Sequence, residues 1–417
     1  QTAFFGKYLN RYGGTGDRSH VPKGWDEWHA IAGNYLSNRI SDNGKITNYD
    51  PKDRHITDVL ADKATGYVQN VQNKDANHGE TTANTADDSE PFFMVLSTKA
   101  PHQPAIPPER YKDAFSNVSA PRPPSFNEED ISDKPGWVRD NSKLTRQDIS
   151  RMDNLYRDRL RSLLGVDDAI GSVVDELKQT GELENTYIFF TSDNGFHMGE
   201  HRMGIGKWTA YEEDIRVPLI VRGPDVPEGR SLEQMVLNND LAPTFVDLAG
   251  GEPPDFVDGR SLVPLLDAGQ TPASDEPTST SSTTEEWKDW RKGFLVESSP
   301  GLKTEVGSPS ASEDNSPSGS LRGNSDPKVD PEASQDEAAG DELGGTDPDL
   351  KAIRTRNHLY VEYSNGEREL YDLRSDPYQI ENKYSSASPA LLQNLENRLD
   401  ALRECSGSSC EAAENRN

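Results

Sequence analysis

The stretch Thr191-Ser-Asp-Asn-Gly-Phe-His-Met-Gly-Glu-His-Arg-Met-Gly-Ile-Gly-Lys-Trp-Thr-Ala-Tyr-Glu-Glu-Asp-Ile-Arg-Val-Pro218 follows one apolar run, Tyr187-Ile-Phe-Phe190, and precedes another, Pro218-Leu-Ile-Val221. Both runs have strand length and lack polar alternation, the pattern of strands buried on two faces. A simple connection between strands needs only a polar turn. This one carries a carboxylate, an amide, two histidines, glycines and a lysine, a density of ligand and acid–base groups that reads as an active-site loop.

Working outward, the same kind of strand recurs at Pro91-Phe-Phe-Met-Val-Leu-Ser97, which ends in Thr98-Lys-Ala-Pro-His-Gln-Pro104. The chain opens on the end of a strand, with Phe4 and Phe5 followed by Gly6 and Lys7. Helical spacing of apolar residues runs from Asp53 to Gln72, through Ile56, Val59, Leu60, Ala64 and Val68. It returns from about Asp148 to Thr180, with Gly181 as a stop, and again from Asn239 to Ala249. Buried strands alternating with helices predict an α/β fold, a mostly parallel sheet flanked by helices. In such sheets ligands bind beyond the carboxyl ends of the strands. Lys7, Lys99, His102 and Asp193 each stand just past an apolar run, so one layer of the fold can gather them. The segment to about residue 50 reads as a long ordered surface excursion, and 73–90 as an exposed polar loop.

Residues 268–285 form a Ser/Thr/Pro-rich linker. Residues 299–350 hold 12 acidic and 3 basic residues and too little apolar surface to offset chain entropy, the mark of a disordered insertion. Around that insertion, Trp290 to Glu297, Ala352 to Tyr363 and Glu369 to Leu373 predict a small antiparallel sheet with Asn365-Gly366 as a hairpin turn. A helix from Pro389 to Arg403 follows. The expected organisation is an α/β domain over 1–267, the linker, an antiparallel subdomain over 286–404 and a tail over 405–417.

The formal net charge of −28 argues against nucleic acid or an anionic membrane as partner, and any anionic substrate then needs a local basic pocket. No apolar run approaches the roughly 18 residues of a membrane span. Cys405 and Cys410, with no metal-ligand pattern around them, read as a disulfide loop. With the sequon Asn117-Val118-Ser119, this favours a secreted or extracytoplasmic protein.

Asp193 and Asn194 offer two adjacent oxygen ligands of the kind Ca²⁺ or Mg²⁺ prefers, although Asp-Asn-Gly also makes ordinary turns. Lys207 follows on the same loop. A divalent cation with lysines suits an anion of several oxygens, sulfate or phosphate. His102 beside Lys99 is a candidate general acid to a leaving oxygen. A plain loop histidine is the alternative for His102, as an ordinary surface lysine is for Lys7.

Taken together, Phe5-Gly-Lys-Tyr-Leu-Asn10, Ala100-Pro-His-Gln-Pro104, Phe190-Thr-Ser-Asp-Asn-Gly195, Gly199-Glu-His201, Gly206-Lys207 with Arg216-Val-Pro218, and Glu369-Leu-Tyr-Asp-Leu373 with Asp376-Pro377 resemble the type I sulfatases of the alkaline phosphatase superfamily. The Gly-Lys-Tyr-Leu-Asn form looks most like their N-acetylglucosamine-6-sulfatase branch. The resemblance implies hydrolysis of a sulfated sugar or aryl sulfate, a small-molecule or polysaccharide ester. It implies Ca²⁺ (or Mg²⁺) on Asp193 and Asn194, sulfate oxygens on Lys7 and Lys207, and His102 facing the leaving-group oxygen. His201 and Lys99 are implied to contact substrate, while turn packing is as good a reading for His197.

Two departures stand out. Leu9 occupies a place where many members have histidine, and no Cys/Ser-x-Pro-x-Arg motif, the source of the family's formylglycine nucleophile, occurs in the sequence. The paired N-terminal aspartates of the metal site are missing too, so the formylglycine is expected upstream and this chain alone is expected to be inactive. A phosphodiesterase or phosphonate hydrolase of the same superfamily, or a non-catalytic sugar-binding relative, are the competing readings.

Overall fold

The computed structural model describes residues 1–10, 12, 20–33, 36–77, 91–267, 290–299 and 348–417. The linker over 268–285, most of the acidic insertion over 299–350 and most of the loop expected over 73–90 lie outside the described residues; positions 73–77 of that expected loop are instead the last turn of the helix Ile56–Asn77. The chain divides into two compact units. Described residues within 1–121 and 145–185 belong to the first, and those within 122–144, 186–299 and 348–417 to the second.

The first unit is built on β1 (Thr2–Gly6), β2 (Glu27–Ile31), β3 (Arg39–Asp42), β4 (Lys45–Asn48) and β5 (Phe93–Ser97), ordered β4-β3-β2-β1-β5. β1 runs parallel to both β2 and β5, while β3 and β4 continue the sheet antiparallel. The continuous apolar character of β1 is used fully, for Ala3, Phe4 and Phe5 are all buried. Helices α1 (Ile56–Asn77) and α2 (Arg146–Thr180) pack on one another, and α1 also packs on β1. The predicted periodicity of α1 is its buried face, with Ile56, Val59, Leu60, Ala64 and Val68 all buried. Thr145 and Asp148 close a capping box at the start of α2, and Gly181, at φ +83°, ends it in the left-handed conformation, as expected for a glycine C-terminal stop.

The segment expected as a surface excursion instead carries β2, β3 and β4, and Trp28 is wholly buried. The strands are short, and β2 mixes Glu and His with Trp and Ile, so no apolar run announces them. One signal was available: Asn43-Gly44 has positive φ at both residues (48° and 87°), the requirement of a tight hairpin turn.

In the second unit, β6 (Ile188–Thr191) pairs antiparallel with β9 (Leu219–Arg222), Thr191 opposite Leu219. The focal loop therefore leaves and returns at one place. Within it, β7 (His197–Met198) and β8 (Ile205–Gly206) form a two-stranded ribbon. Helix α3 (Leu241–Leu248) follows β9. The C-terminal sheet, β10 (Gly293–Ser298), β11 (Leu350–Thr355), β12 (His358–Tyr363) and β13 (Arg368–Asp372), is antiparallel in sequential order. Gly366 at φ +93° turns β12 into β13.

Side-chain alternation gives this sheet two buried faces. Ile353, Tyr360 and Leu370 meet Leu395, Leu399 and Leu402 of α4 (Pro389–Glu404). Ala352, Leu359, Val361, Tyr363 and Tyr371 meet Met203, Ala210 and Tyr211 of the focal loop. The boundary expected near 268–285 therefore does not separate two cores: the C-terminal sheet is the floor on which the loop is laid. The fold is α/β, a mixed sheet with flanking helices plus a small C-terminal antiparallel sheet with helices.

Candidate active site

The Thr191 hydroxyl donates to the Pro218 carbonyl (2.9 Å), fastening the two ends of the loop together. The turn that follows is held by its own polar groups. Ser192 Oγ donates to Asn194 O (2.8 Å), and Asn238 Nδ2 donates to the carbonyls of Ser192 and Asp193 (3.0 Å each). The Asn194 N–H donates to Asp193 Oδ1 (3.0 Å). Asn194 Nδ2 is committed to Gly195 O (2.7 Å), which leaves Oδ1 to accept from Lys207 Nζ at 2.9 Å. Gly195 is required by close approach: a Cβ there would lie 2.0 Å from the Glu213 carbonyl oxygen. Without one, Gly195 and Phe196 donate their N–H groups to Asp214 O (2.8 Å) and Glu213 O (2.7 Å).

Asp214 is the clamp of this loop. Its buried carboxylate accepts from Thr209 N (3.0 Å), from Thr209 Oγ1 (2.7 Å) and from His197 Nδ1 (2.9 Å). His197 also pairs with Gly206 across the ribbon. Lys207 is thus bracketed by two residues, Gly206 and Thr209, that are tied to the same His197–Asp214 pair. Burial by itself lowers the pKa of His197, but the charge and hydrogen bond of Asp214 more than offset it and raise it above the ordinary 6.5. A raised folded-state value means the pair's contribution is fully present below the unfolded value and is lost as pH rises through the folded one. The stability advantage of the wild-type chain over His197→Gln should therefore be larger at about pH 6 than at about pH 9, as read by urea unfolding at both. An advantage that grows with pH would contradict the charged pair.

His201 is turned into the interior. Its side chain is 0% exposed, with Nδ1–H donating to Glu128 Oε2 at 2.6 Å and the ring stacked on Tyr211 at 4.4 Å. Glu128 faces the buried Lys134 ammonium (3.6 Å). Tyr211 in turn joins Tyr371 and Tyr363 in donating to the buried Glu369 carboxylate (2.8, 2.5 and 2.6 Å). This network anchors the loop to the C-terminal sheet, with His201 packed inside it. A Gly-Glu-His motif does not reveal that burial.

In the first unit, the parallel pairing sets Gly6 opposite Ser97, so β1 and β5 end at the same edge. Gly6, at φ +121°, allows a contact no other residue could make, since a Cβ would sit 1.7 Å from Ser97 O. The Lys7 N–H then donates to Ser97 O (2.7 Å) and its Nζ to Leu9 O (2.9 Å). Past β5, Lys99 Nζ donates to Ser37 O (2.6 Å), and His102 sits in a tight turn with its Nδ1–H on Gln103 O (2.7 Å).

The structure therefore brings Lys7, Lys99 and His102 to one sheet edge of the first unit, and Asp193, Asn194 and Lys207 to one turn of the second. As metal donors, Asp193 and Asn194 fit a hard cation in kind: both present oxygen, and Asn194 Oδ1 already attracts an ammonium. They fall short in number, because Ca²⁺ takes roughly six to eight oxygens. Among the described residues no group of three or more His, Cys, Asp or Glu is placed to hold a metal ion. Sequence reasoning missed Glu128 and Asn238, whose partners are distant in the chain, and Asp214, whose partners lie on its own loop but meet it only when the loop folds back. Cys405 and Cys410 form a disulfide, and no described helix is long and apolar enough to cross a membrane.

Comparison with known proteins bears on this geometry. The sequence model of the Sulfatase family matches residues 1–251. The chain is 36% identical to an N-acetylglucosamine-6-sulfatase of Capra hircus over 98% of its own length and 67% of the goat protein's. Against the N-acetylglucosamine-6-sulfatase of Homo sapiens it is 35% identical over 98% of this chain and 68% of that one. A solved structure in complex with its substrate D-glucosamine-2-N,6-O-disulfate shares the fold, with TM-score 0.68 and 23% identity over 100% of this chain and 81% of that one. Fold and sequence likeness define a sulfuric ester hydrolase. The chain belongs to the sulfatase family.

Proposed function

We propose that this chain carries the metal and sulfate-gripping part of a sulfatase that releases sulfate from a sulfated amino sugar. The observation that carries the reading is the Lys207 ammonium held 2.9 Å from the Oδ1 of Asn194, the residue that follows Asp193, just past the carboxyl end of a strand. An ammonium fixed against hard-oxygen donors is what an anion of several oxygens needs on one side. The sugar class is supported by likeness to the goat and human enzymes.

In this reading Asp193 and Asn194 contribute ligands to Ca²⁺ or Mg²⁺, which when bound supplies positive charge against the sulfate oxygens. Lys207 and Lys7 neutralise the sulfate oxygens and the charge that develops on them. Lys99 contacts substrate. His102 protonates the leaving oxygen; with Nδ1–H donated to Gln103 O, the transferable proton is the one on Nε2 of the imidazolium. His201 is assigned to packing. The formylglycine nucleophile is assigned to residues outside these 417. An extracytoplasmic setting is supported by the disulfide and by the exposed Asn117 of the sequon.

The test compares this chain with an upstream-extended one on a panel of aryl sulfate, glucosamine 6-sulfate and the matching phosphate esters. Turnover of sulfate esters by the extended chain alone is expected. Turnover by the short chain would overturn the nucleophile assignment. Failure of the extended chain on every sulfate ester, or preference for the phosphates, would overturn the proposed function.

A further inference from the structure

We infer that Trp208 is the sugar platform of the site, a specificity-determining residue on which the pyranose ring of the sulfate ester lies while its sulfate meets Lys207. Three independent observations converge on it.

The first is backbone strain. Trp208 has φ +88°, a left-handed conformation that a bulky residue avoids unless its surroundings impose it. Here they do. On one side Gly206 is paired with His197 and Lys207 is held on Asn194; on the other Thr209 is bound to Asp214 through both N–H and hydroxyl. Ala210 and Tyr211 then enter the core. Trp208 cannot relax without breaking one of these ties, so the loop spends stability on projecting this side chain.

The second is exposure. Trp208 is 55% accessible although both residues after it are buried. Single exposed apolar side chains are common, and Phe256, at 80%, is more exposed still. Phe256 has no positive φ and no site residue beside it in sequence, so exposure alone is not what distinguishes Trp208.

The third is adjacency. Lys207 Nζ lies 5.4 Å from the centroid of the Trp208 ring while donating to Asn194 Oδ1. A sulfate oxygen that meets this ammonium is therefore about one sugar width from the indole. The C–H face of a pyranose is apolar and weakly positive, which suits the negative face of an aromatic ring. Inorganic sulfate has no such face. Trp208 should thus separate sugar esters from the bare anion, and not by touching the anion itself.

The inference rests on the proposed role of Lys207 as a sulfate-binding group. Calorimetric titration of the 417-residue chain in Ca²⁺, with inorganic sulfate and with glucosamine 6-sulfate as probes, tests both. Trp208→Ala is expected to weaken glucosamine 6-sulfate about tenfold and to leave inorganic sulfate unchanged. Trp208→Phe, which keeps a ring, is expected to retain most of the sugar affinity, and Lys207→Ala to lose both ligands. Because the indole is exposed, these variants should fold, and a matching circular dichroism spectrum checks that. If Trp208→Ala binds the sugar as the wild type does, or loses both probes equally, the platform is overturned while the sulfatase reading stands. If the wild type binds neither probe, the anion site fails and the platform fails with it.

Discussion

Arg291→Met is expected to lower the unfolding free energy by about 3–5 kcal/mol, the cost of leaving a buried charge without its partner. Both side chains of the Arg291–Asp240 pair are 0% exposed. The guanidinium meets the carboxylate in a fork, Nη1 to Oδ2 and Nη2 to Oδ1 at 2.7 Å each. Burial opposes the charge on Arg291, but Asp240 and Glu414 more than offset it and raise its pKa further. Asp240 also accepts the N–H groups of Leu237 (2.7 Å) and Arg260 (2.9 Å), and Arg291 Nε faces Glu414 at 2.9 Å. The cluster thus ties the start of α3 to the short helix Ser408–Glu414 behind the Cys405–Cys410 disulfide. In Arg291→Met, Asp240 and Glu414 lose their shared cation within an apolar setting. Asp240→Leu combined with Arg291→Met should recover part of the loss, because removing both charges also removes their desolvation cost. Denaturant unfolding of the two variants reads this directly; a single-variant loss below about 1 kcal/mol would mean that water reaches the pair.

Under the proposed assignment, Lys207→Ala in the upstream-extended chain is expected to lower kcat on an aryl sulfate by about 10²–10³-fold, the range for removing one pre-positioned group that stabilises transition-state charge. The geometry gives a reason for a large effect. Lys207 is not a mobile surface lysine, because Gly206 and Thr209 on either side are held by His197 and Asp214 and its ammonium is held by Asn194. Lys207→Met, which keeps the length of the stem, should be nearly as poor, since the charge is the active element. A loss under about tenfold with KM unchanged would remove Lys207 from the sulfate site.

Continuous apolar runs made β1, β5, β6 and β9 legible in the sequence, because a run without polar alternation is not confused with a loop; the expected burial on both faces holds for β1 only, since Phe93, Phe190 and Ile220 of β5, β6 and β9 are exposed. The helices were legible for a similar reason, as the buried face of α1 repeats Ile56, Val59, Leu60, Ala64 and Val68 with helical period. Short strands of mixed polarity were not. β2, β3 and β4 are specified by a sheet edge already in place, and only Asn43-Gly44 hinted at them. The candidate residues were found by type and by position after strands, which is how ligand-bearing loops are recognised. Their supports were not found, because Asp214, Glu128 and Asn238 look like ordinary surface residues until the fold buries or aims them.

What the sequence determined by itself is the chemistry available: which residues carry charge and oxygen at strand ends, and that the Cys/Ser-x-Pro-x-Arg motif is absent. Local composition is enough for that, since ligand type and strand register are properties of neighbours in the chain. What only the tertiary structure decided is which of those groups face a site and which serve the core. His201 and Lys207 stand six positions apart on one loop and look equally suited to an anion. Long-range partners separate them: Glu128, Lys134 and the tyrosine-bound Glu369 draw His201 into the interior, while the His197–Asp214 clamp holds Lys207 and Trp208 out of it. Burial is a sum over contacts from the whole chain, and a motif of a few residues cannot contain it.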